Sequence, residues 1–310
     1  MFSSHIRKIS FHLTVICLLT CLSANSQAQS PRVLVSIKPL HSLISHITDG
    51  VSQAGLLLEN QQSPHHFQLR PSQKRMINQA DIFFYSSNDL EGFVESLRIN
   101  TKHLQFIELS SLPELNTLAA RSFHSHKDHD DKHDTLKHNI DGHIWLSISN
   151  AQIIAQHVAK ILSDLDSENA NHYKNNLKHL LVKLETLKQN NIALLSNINK
   201  RPFLVYHDAY QYFEQENNLK GAHFVTTTPE HTPGIKRVKE LKRLIKEKNI
   251  QCIFYEPPNI PSLLTTLTEN TTIELRAIDP AGSQLTAGKQ HYFTLMQTTA
   301  SILHTCLSKH

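Results

Sequence analysis

Residues 168–198 read ENANHYKNNLKHLLVKLETLKQNNIALLSNI, and the architecture turns on this stretch. Its apolar side shows Tyr173, Leu177, Leu180, Leu184 and Leu187 at spacings of 4, 3, 4 and 3, and Leu194 and Ile198 extend the stripe. That period is one face of an α-helix. At 1.5 Å per residue, such a helix is a rod of about 45 Å. A rod of that length exceeds one small domain, so it could span two lobes. The rival reading is an intermolecular coiled coil, but only about three heptads fit and Asn191 interrupts them.

On both sides of the rod, strands alternate with helices. Upstream, Arg32–Ile37 is a β-rich run, Pro39–Thr48 has helical spacing, and Ala54–Leu58 is apolar. Pro71–Gln79 opens on a proline suited to a helix start. Asp81–Tyr85 is a buried-strand candidate, Leu90–Leu97 a helix and Leu104–Leu109 a strand. Ser149 or Asn150 could cap a helix that runs to Leu165. Downstream, Phe203–Tyr206, Ala222–Thr226, Gln251–Tyr255 and Ile273–Ile278 are strands. Helices at Ala209–Gln215, Pro233–Lys248, Ser262–Thr268 and Lys289–Leu307 alternate with them. The fold class expected is α/β: two lobes, each a mainly parallel sheet flanked by helices, joined by one long backbone helix. The expected boundaries are 29–148 for the first lobe, 149–200 for the connecting helices and 201–310 for the second lobe.

The chain has 310 residues, 39% of them hydrophobic, which is enough for a sizeable core in each lobe. A charged fraction of 19% argues against a wholly disordered chain. The net charge of +4 includes Arg7 and Lys8, which stand in a leader-like segment. No global basic field remains to suggest a nucleic-acid partner. The 22 histidines stand out, because imidazole is the commonest metal ligand.

The first 28 residues read as a signal peptide. Arg7 and Lys8 precede a mostly apolar run from Ile9 to Leu22, and Ser26-Gln27-Ala28 offers small residues before a cut near Ala28. The run is short for a membrane span, although an anchor is the other reading. Leu18-Leu19-Thr20-Cys21 is similar to a lipidation site, but Thr20 fits poorly before the cysteine. Export would leave Cys252 and Cys306 in an oxidising compartment, as one disulfide or as two buried thiols.

Between the first sheet and the connecting helices, residues 121–142 are rich in His, Asp and Lys and poor in apolar side chains. His124, His126, His129, His133 and His138 lie there among Asp128, Asp130, Asp131, Asp134 and Asp141. Such a segment cannot bury enough surface to offset its ordering entropy, so it reads as a mobile loop able to bind extra metal weakly.

Four other places carry chemistry. Ser63-Pro64-His65-His66-Phe67 follows a strand. His143 stands in Asp141-Gly142-His143-Ile144-Trp145. His207 ends a strand in Val205-Tyr206-His207-Asp208-Ala209, and Asp279-Pro280 lies just past another. In open α/β sheets, ligands bind outside the carboxyl ends of the strands. Three histidines with a carboxylate or water suit tetrahedral Zn²⁺. Magnesium and calcium want oxygen ligands. Copper and nickel are not separated from zinc on this basis. A lone histidine after a strand is more often a hydrogen-bonded surface group, so spacing alone is a weak signal.

Together these residues resemble the ZnuA-type zinc-binding proteins of bacterial ABC transporters, within the metal-binding cluster of solute-binding proteins. The likeness covers nearly the whole chain after the leader. It runs through Val35-Ser36-Ile37-Lys38-Pro39, through His65 with Leu69-Arg70-Pro71-Ser72, and through the His-rich insert and His143-Ile144-Trp145-Leu146-Ser147. It continues through His207-Asp208-Ala209-Tyr210-Gln211-Tyr212-Phe213, Glu256-Pro257 and Asp279-Pro280-Ala281-Gly282. The resemblance implies two lobes with Zn²⁺, the transported ligand, held between them by His65, His143 and His207. It places Asp279 at or near the metal, so the fourth ligand would be Asp279 or water. Some relatives carry Glu immediately before the first ligand histidine. Here Pro64 stands there and can donate nothing. His66 replaces an acidic residue of some relatives, and its role stays open: support for a ligand, an alternative ligand, or exposure. Cys252 and Cys306 fall where zinc-type members carry a disulfide. The implied partners are a membrane permease and its cytoplasmic ATPase, with the protein acting as a periplasmic monomer. Alternatives are a carrier of another transition metal such as manganese or iron, a histidine-rich zinc buffer, and a zinc hydrolase. The last has no H-E-x-x-H motif to support it.

Overall fold

The computed structural model describes residues 30–59, 62–65, 67–121, 140–229 and 232–309. The leader with Cys21, together with His66, His124, His126, His129, His133 and His138, lies outside the described residues. Residues 31–310 form one compact unit.

Two four-stranded sheets, both wholly parallel, organise that unit. Val33–Val35 (β1), Gly55–Leu56 (β2), Ile82–Tyr85 (β3) and Gln105–Glu108 (β4) pair in the order β2-β1-β3-β4. Phe203–His207 (β5), Ala222–Thr226 (β6), Cys252–Tyr255 (β7) and Glu274–Ala277 (β8) pair in the order β6-β5-β7-β8. The orders are the same, although no sequence repeat is visible. In each sheet the strand order reverses between its first and third strands, which creates a crevice at their carboxyl ends. Val33–Val35, Ile82–Tyr85 and most of β5 and β7 are buried, as expected for strands covered on both faces.

Helices α1 (Lys38–Ile47), α2 (Pro71–Gln79) and α3 (Phe93–Asn100) belong to the first lobe. Helices α4 (Ile148–Leu165) and α5 (Ala170–Leu195) connect the lobes. The second lobe adds α6 (Gln211–Glu216), α7 (Ile235–Lys248), α8 (Ser262–Thr268) and α9 (His291–Leu307). Helix α5 is 26 residues long, a rod of about 39 Å. Its buried side packs on α4, on α1 of the first lobe and on α9 of the second. Asn191, the interruption in the heptads, is buried and donates to the Met296 carbonyl of α9. The apolar stripe thus finds its partners within the chain, without a second helix from another copy.

Several helix starts differ from the sequence expectation by a few residues, and two of them have a visible cause. Helix α3 begins at Phe93 and not at Leu90, because Ser87 Oγ accepts the Leu90 amide and the Glu91 carboxylate accepts the Ser86 amide. Those bonds hold residues 86–91 as a turn. Helix α4 is capped by Ser147, whose hydroxyl accepts the Asn150 amide. Ser149 and Asn150 are already helical. Asn150 is buried and donates to the carbonyls of Asn116 and Ile144.

The lobes share one apolar core, which includes Val35, Phe84, Trp145, Phe213 and Met296. Polar contacts stitch the same seam. Trp145 Nε1 donates to the Pro280 carbonyl at 2.8 Å, and Tyr292 Oη donates to the Trp145 carbonyl at 2.8 Å. Lys38 Nζ donates to the carbonyls of Ser283 and Leu285 at 2.6 and 3.0 Å. Glu216 accepts the amides of Ile148 and Ser149, which places a carboxylate at the positive end of α4. Such a seam, backed by α5, favours small lobe motions over wide hinge opening. Cys252 and Cys306 form a disulfide that ties β7 to α9 across 54 residues of sequence. In the chain-entropy picture a loop of that size is worth about 4 kcal/mol.

Candidate metal centre

His207 is the last residue of β5 and so stands at the carboxyl end of the sheet, beside the strand reversal. Glu256 follows β7, the neighbour of β5 on the other side of that reversal. His207 Nδ1 and Glu256 Oε1 are 2.8 Å apart. A carboxylate on Nδ1 fixes the ring as the Nδ1–H tautomer and leaves the lone pair on Nε2. His207 is 2% exposed, and its Nε2 is sealed from solvent with no hydrogen-bond partner. Leaving a buried acceptor unmet costs roughly 1–3 kcal/mol, so the site is built for something that fills it.

His143 is fixed in the same manner from the first lobe. Asp141 Oδ1 accepts both the His143 backbone amide at 3.0 Å and Nδ1 at 2.7 Å. The other Asp141 oxygen accepts Gln211 Nε2 at 3.1 Å, and the Asp141 carbonyl accepts Tyr212 Oη at 2.8 Å. The two lobes therefore hold Asp141 jointly. Gly142 admits no side chain, because a Cβ there would lie 2.5 Å from Leu90 Cβ. Ser86 Oγ donates to its carbonyl. His143 then enters a turn of 3₁₀-helix at Ile144–Leu146, whose buried Trp145 packs 5.4 Å from the His143 ring.

His65 completes the group from the loop after β2, and its amide donates to Ser63 Oγ at 3.3 Å. The ring centroids stand 5.6 Å (His65–His143), 5.2 Å (His65–His207) and 5.0 Å (His143–His207) apart. One ring nitrogen from each lies within 4.8 Å of the others, and His65 is the half-buried member. In tetrahedral zinc coordination, with Zn–N of about 2.0–2.1 Å, donor atoms sit roughly 3.4 Å apart. Closing each separation by at most about 1.4 Å would bring these nitrogens onto one ion.

Asp279 is not brought to this group. Its Oδ1 accepts the amides of Ala281 and Gly282 at 2.9 Å each, and its Oδ2 accepts the Ser283 amide and hydroxyl. Those four bonds close the turn 279–283 and occupy the carboxylate. Asp141 and Glu256 instead orient imidazoles. Asp141 closes the polar segment in sequence, and its spacing of two from His143 is the signal that separates it from the other carboxylates there. Glu256 sits just past a strand, the same signal that singled out Asp279.

The surrounding charges are ordered. Burial pushes the His207 imidazolium down, but Glu256, with Asp208 and Asp141 behind it, more than offsets this and holds its pKa above the ordinary value. Asp208 is buried and bound by Arg121, with Nε–Oδ2 at 2.8 Å. The same guanidinium reaches Glu214, with Nη1–Oε2 at 3.0 Å. Burial raises the pKa of Asp208 and of Glu214, and Arg121 opposes it in both. A cavity of about 410 Å³ opens over the cluster, lined by His65, His143, Asp208, Gln211, Arg121 and Ile140. Arg121 and Ile140, which precede and follow residues 122–139 in the sequence, both stand at the rim of the site. No helix among the described residues is long and apolar enough to cross a membrane.

The chain is similar to known proteins along nearly its whole length. A family model described as the periplasmic component A of the zinc-uptake complex, ZnuA, matches residues 33–306. The high-affinity zinc uptake system protein ZnuA of Brucella suis biovar 1 (strain 1330) is 31% identical over 307 residues, covering 89% of this chain and 92% of that protein. Its namesake from Haemophilus influenzae is 29% identical over 326 residues, covering 93% and 96%. A crystal structure of ZnuA superposes with a TM-score of 0.76 at 21% identity, over 90% of this chain and 99% of the other.

Proposed function

This chain belongs to the ZnuA family of periplasmic zinc-uptake components, and from that premise we propose that it is the high-affinity zinc-binding component of an ABC transporter. It captures Zn²⁺ in the periplasm and delivers it to a membrane permease whose ATPase works on the cytoplasmic side. In this reading zinc is cargo. His65, His143 and His207 each give one ring nitrogen, and water fills the fourth position because the Asp279 carboxylate is spent on its own turn. Three imidazoles favour zinc, copper or nickel over manganese and magnesium, which prefer oxygen. The chain acts as a carrier and not as an enzyme.

The observation that carries the reading is the orphaned Nε2 of His207, buried between two other imidazoles and oriented by Glu256. Asp141 and Glu256 fix the orientation and tautomer of the ligands, as carboxylates behind metal-bound histidines do. Residues 1–28 are removed on export, without lipidation at Cys21, and the mature chain works as a monomer. Its lobes are residues 29–148 and 201–310, joined through 149–200. The segment with His124, His126, His129, His133 and His138 collects zinc at the rim and raises its local concentration.

The test is growth under zinc chelation of a bacterium deprived of its own zinc-uptake binding component. The wild-type chain restores growth, and His207→Ala at equal abundance does not. Equal rescue by both would remove the reading.

A further inference from the structure

The capture site makes no use of helix α7. Its inner side, Val238, Leu241, Leu244 and Ile245, packs on the second sheet through Leu204, Val225 and Ile253. Its outer side carries Lys236, Lys239, Lys242, Arg243 and Lys246, all exposed. At 3.6 residues per turn these five cations share an arc of about 120° and a length of about 15 Å. Ile235 falls within the same arc and is 78% exposed. The two acidic residues of the helix lie together at one edge of the arc. Glu240 pairs with Arg237, and Glu247 leans on Arg243.

The charge is local. The fourteen residues of α7 hold seven basic and two acidic side chains, a net +5, whereas all 310 residues sum to +4. Like charges at i,i+3 and i,i+4 weaken the helix that bears them. Crowding like charges on one face is not something the helix itself requires. A convex row of separated cations does not converge on one phosphate. It matches a plane of many anions, and an exposed aliphatic side chain at one end suits the boundary between headgroups and acyl chains.

We propose that the outer face of α7 is a contact surface for anionic phospholipid headgroups, which keeps the carrier on the membrane face. The surface is distinct from the zinc site, so the two can fail separately.

The test is co-sedimentation of the zinc-loaded chain from Gln29 onward with vesicles. One set is pure phosphatidylcholine, and the other contains about one-third phosphatidylglycerol. Binding is expected on the anionic vesicles alone, and it is expected to fade in 0.5 M salt as screening shortens. Changing Lys236, Lys239, Lys242, Arg243 and Lys246 together to Gln lowers the anionic partition constant at least about tenfold. A control with Lys74, Lys102, Lys174, Lys178 and Lys200 changed to Gln has the same net charge and keeps most of the binding. Ile235→Ser weakens binding a few-fold, and zinc titration is unchanged in all three variants. Absence of binding to anionic vesicles overturns the proposal, as does equal loss in the control. Loss of cellular zinc uptake in the α7 variant without any vesicle binding also overturns it, and points to an acidic protein surface instead.

Discussion

Glu256 holds the ring of His207 from the neighbouring strand, with Oε1 2.8 Å from Nδ1. The pair joins the carboxyl ends of β5 and β7, the two strands that flank the reversal of strand order. Glu256→Gln keeps an acceptor for Nδ1–H but removes the charge that makes the imidazole a better donor. Zinc affinity is expected to fall about tenfold in Glu256→Gln and up to about a hundredfold in Glu256→Ala, with one metal still bound. Competition against a chromophoric chelator measures this. Unchanged affinity in both variants would make Glu256 a bystander.

Arg121 clamps two buried carboxylates, Asp208 and Glu214, from the root of the His-rich segment. Arg121→Ala leaves both without their cation, and breaking a buried pair costs about 3–5 kcal/mol at neutral pH. Burial already raises the pKa of each acid in the folded state, and losing Arg121 raises it further. An acid with a raised folded pKa penalises folding only where the unfolded chain has shed its proton. Urea unfolding should therefore show a wide gap between wild type and Arg121→Ala at pH 7.5, narrowed at pH 4.5. An equal gap at both pH values would contradict the account.

Glu91 lies fully buried under the turn 86–91. Burial raises its pKa to about 7, against opposition from the Ser36 hydroxyl and the amides of Ser86 and Ser87. The unfolded chain loses this proton near the ordinary glutamate value of 4.5. The stability contributed by the neutral acid is complete below that value. It is lost as pH rises to about 7, where the penalty levels off near 3 kcal/mol. Glu91→Gln should match wild type at pH 4.5 and exceed it at pH 8 by a comparable amount. Chemical denaturation at the two pH values reads this directly, and a variant weaker at both would sink it.

The long helix, the alternating strands and the disulfide pair were legible because each leaves a local or compositional trace. The stripe from Tyr173 to Ile198 needed only a period, and α5 with the turn after it buries most of that stripe. Boundaries failed where side chains competed with the backbone. Ser147 outcompetes Ser149 as the cap, and Ser87 with Glu91 delays α3. The three histidines could be picked out as strand-end or loop-exit residues, but their meeting could not. Glu256 and His207 are 49 residues apart, and only the strand order makes them neighbours. Asp279 is the converse case. Its place after a strand suggested a ligand, whereas the amides of Ala281, Gly282 and Ser283 claim its oxygens.

The central claim is that three imidazoles from two lobes make one zinc site, with the His-rich segment as an accessory. Titration calorimetry of zinc into the chain from Gln29 to His310 tests it, run beside His207→Ala and a form lacking residues 122–139. The account predicts one tight site that disappears in His207→Ala and survives the deletion. Several weak sites that vanish with the deletion and ignore His207 would contradict it.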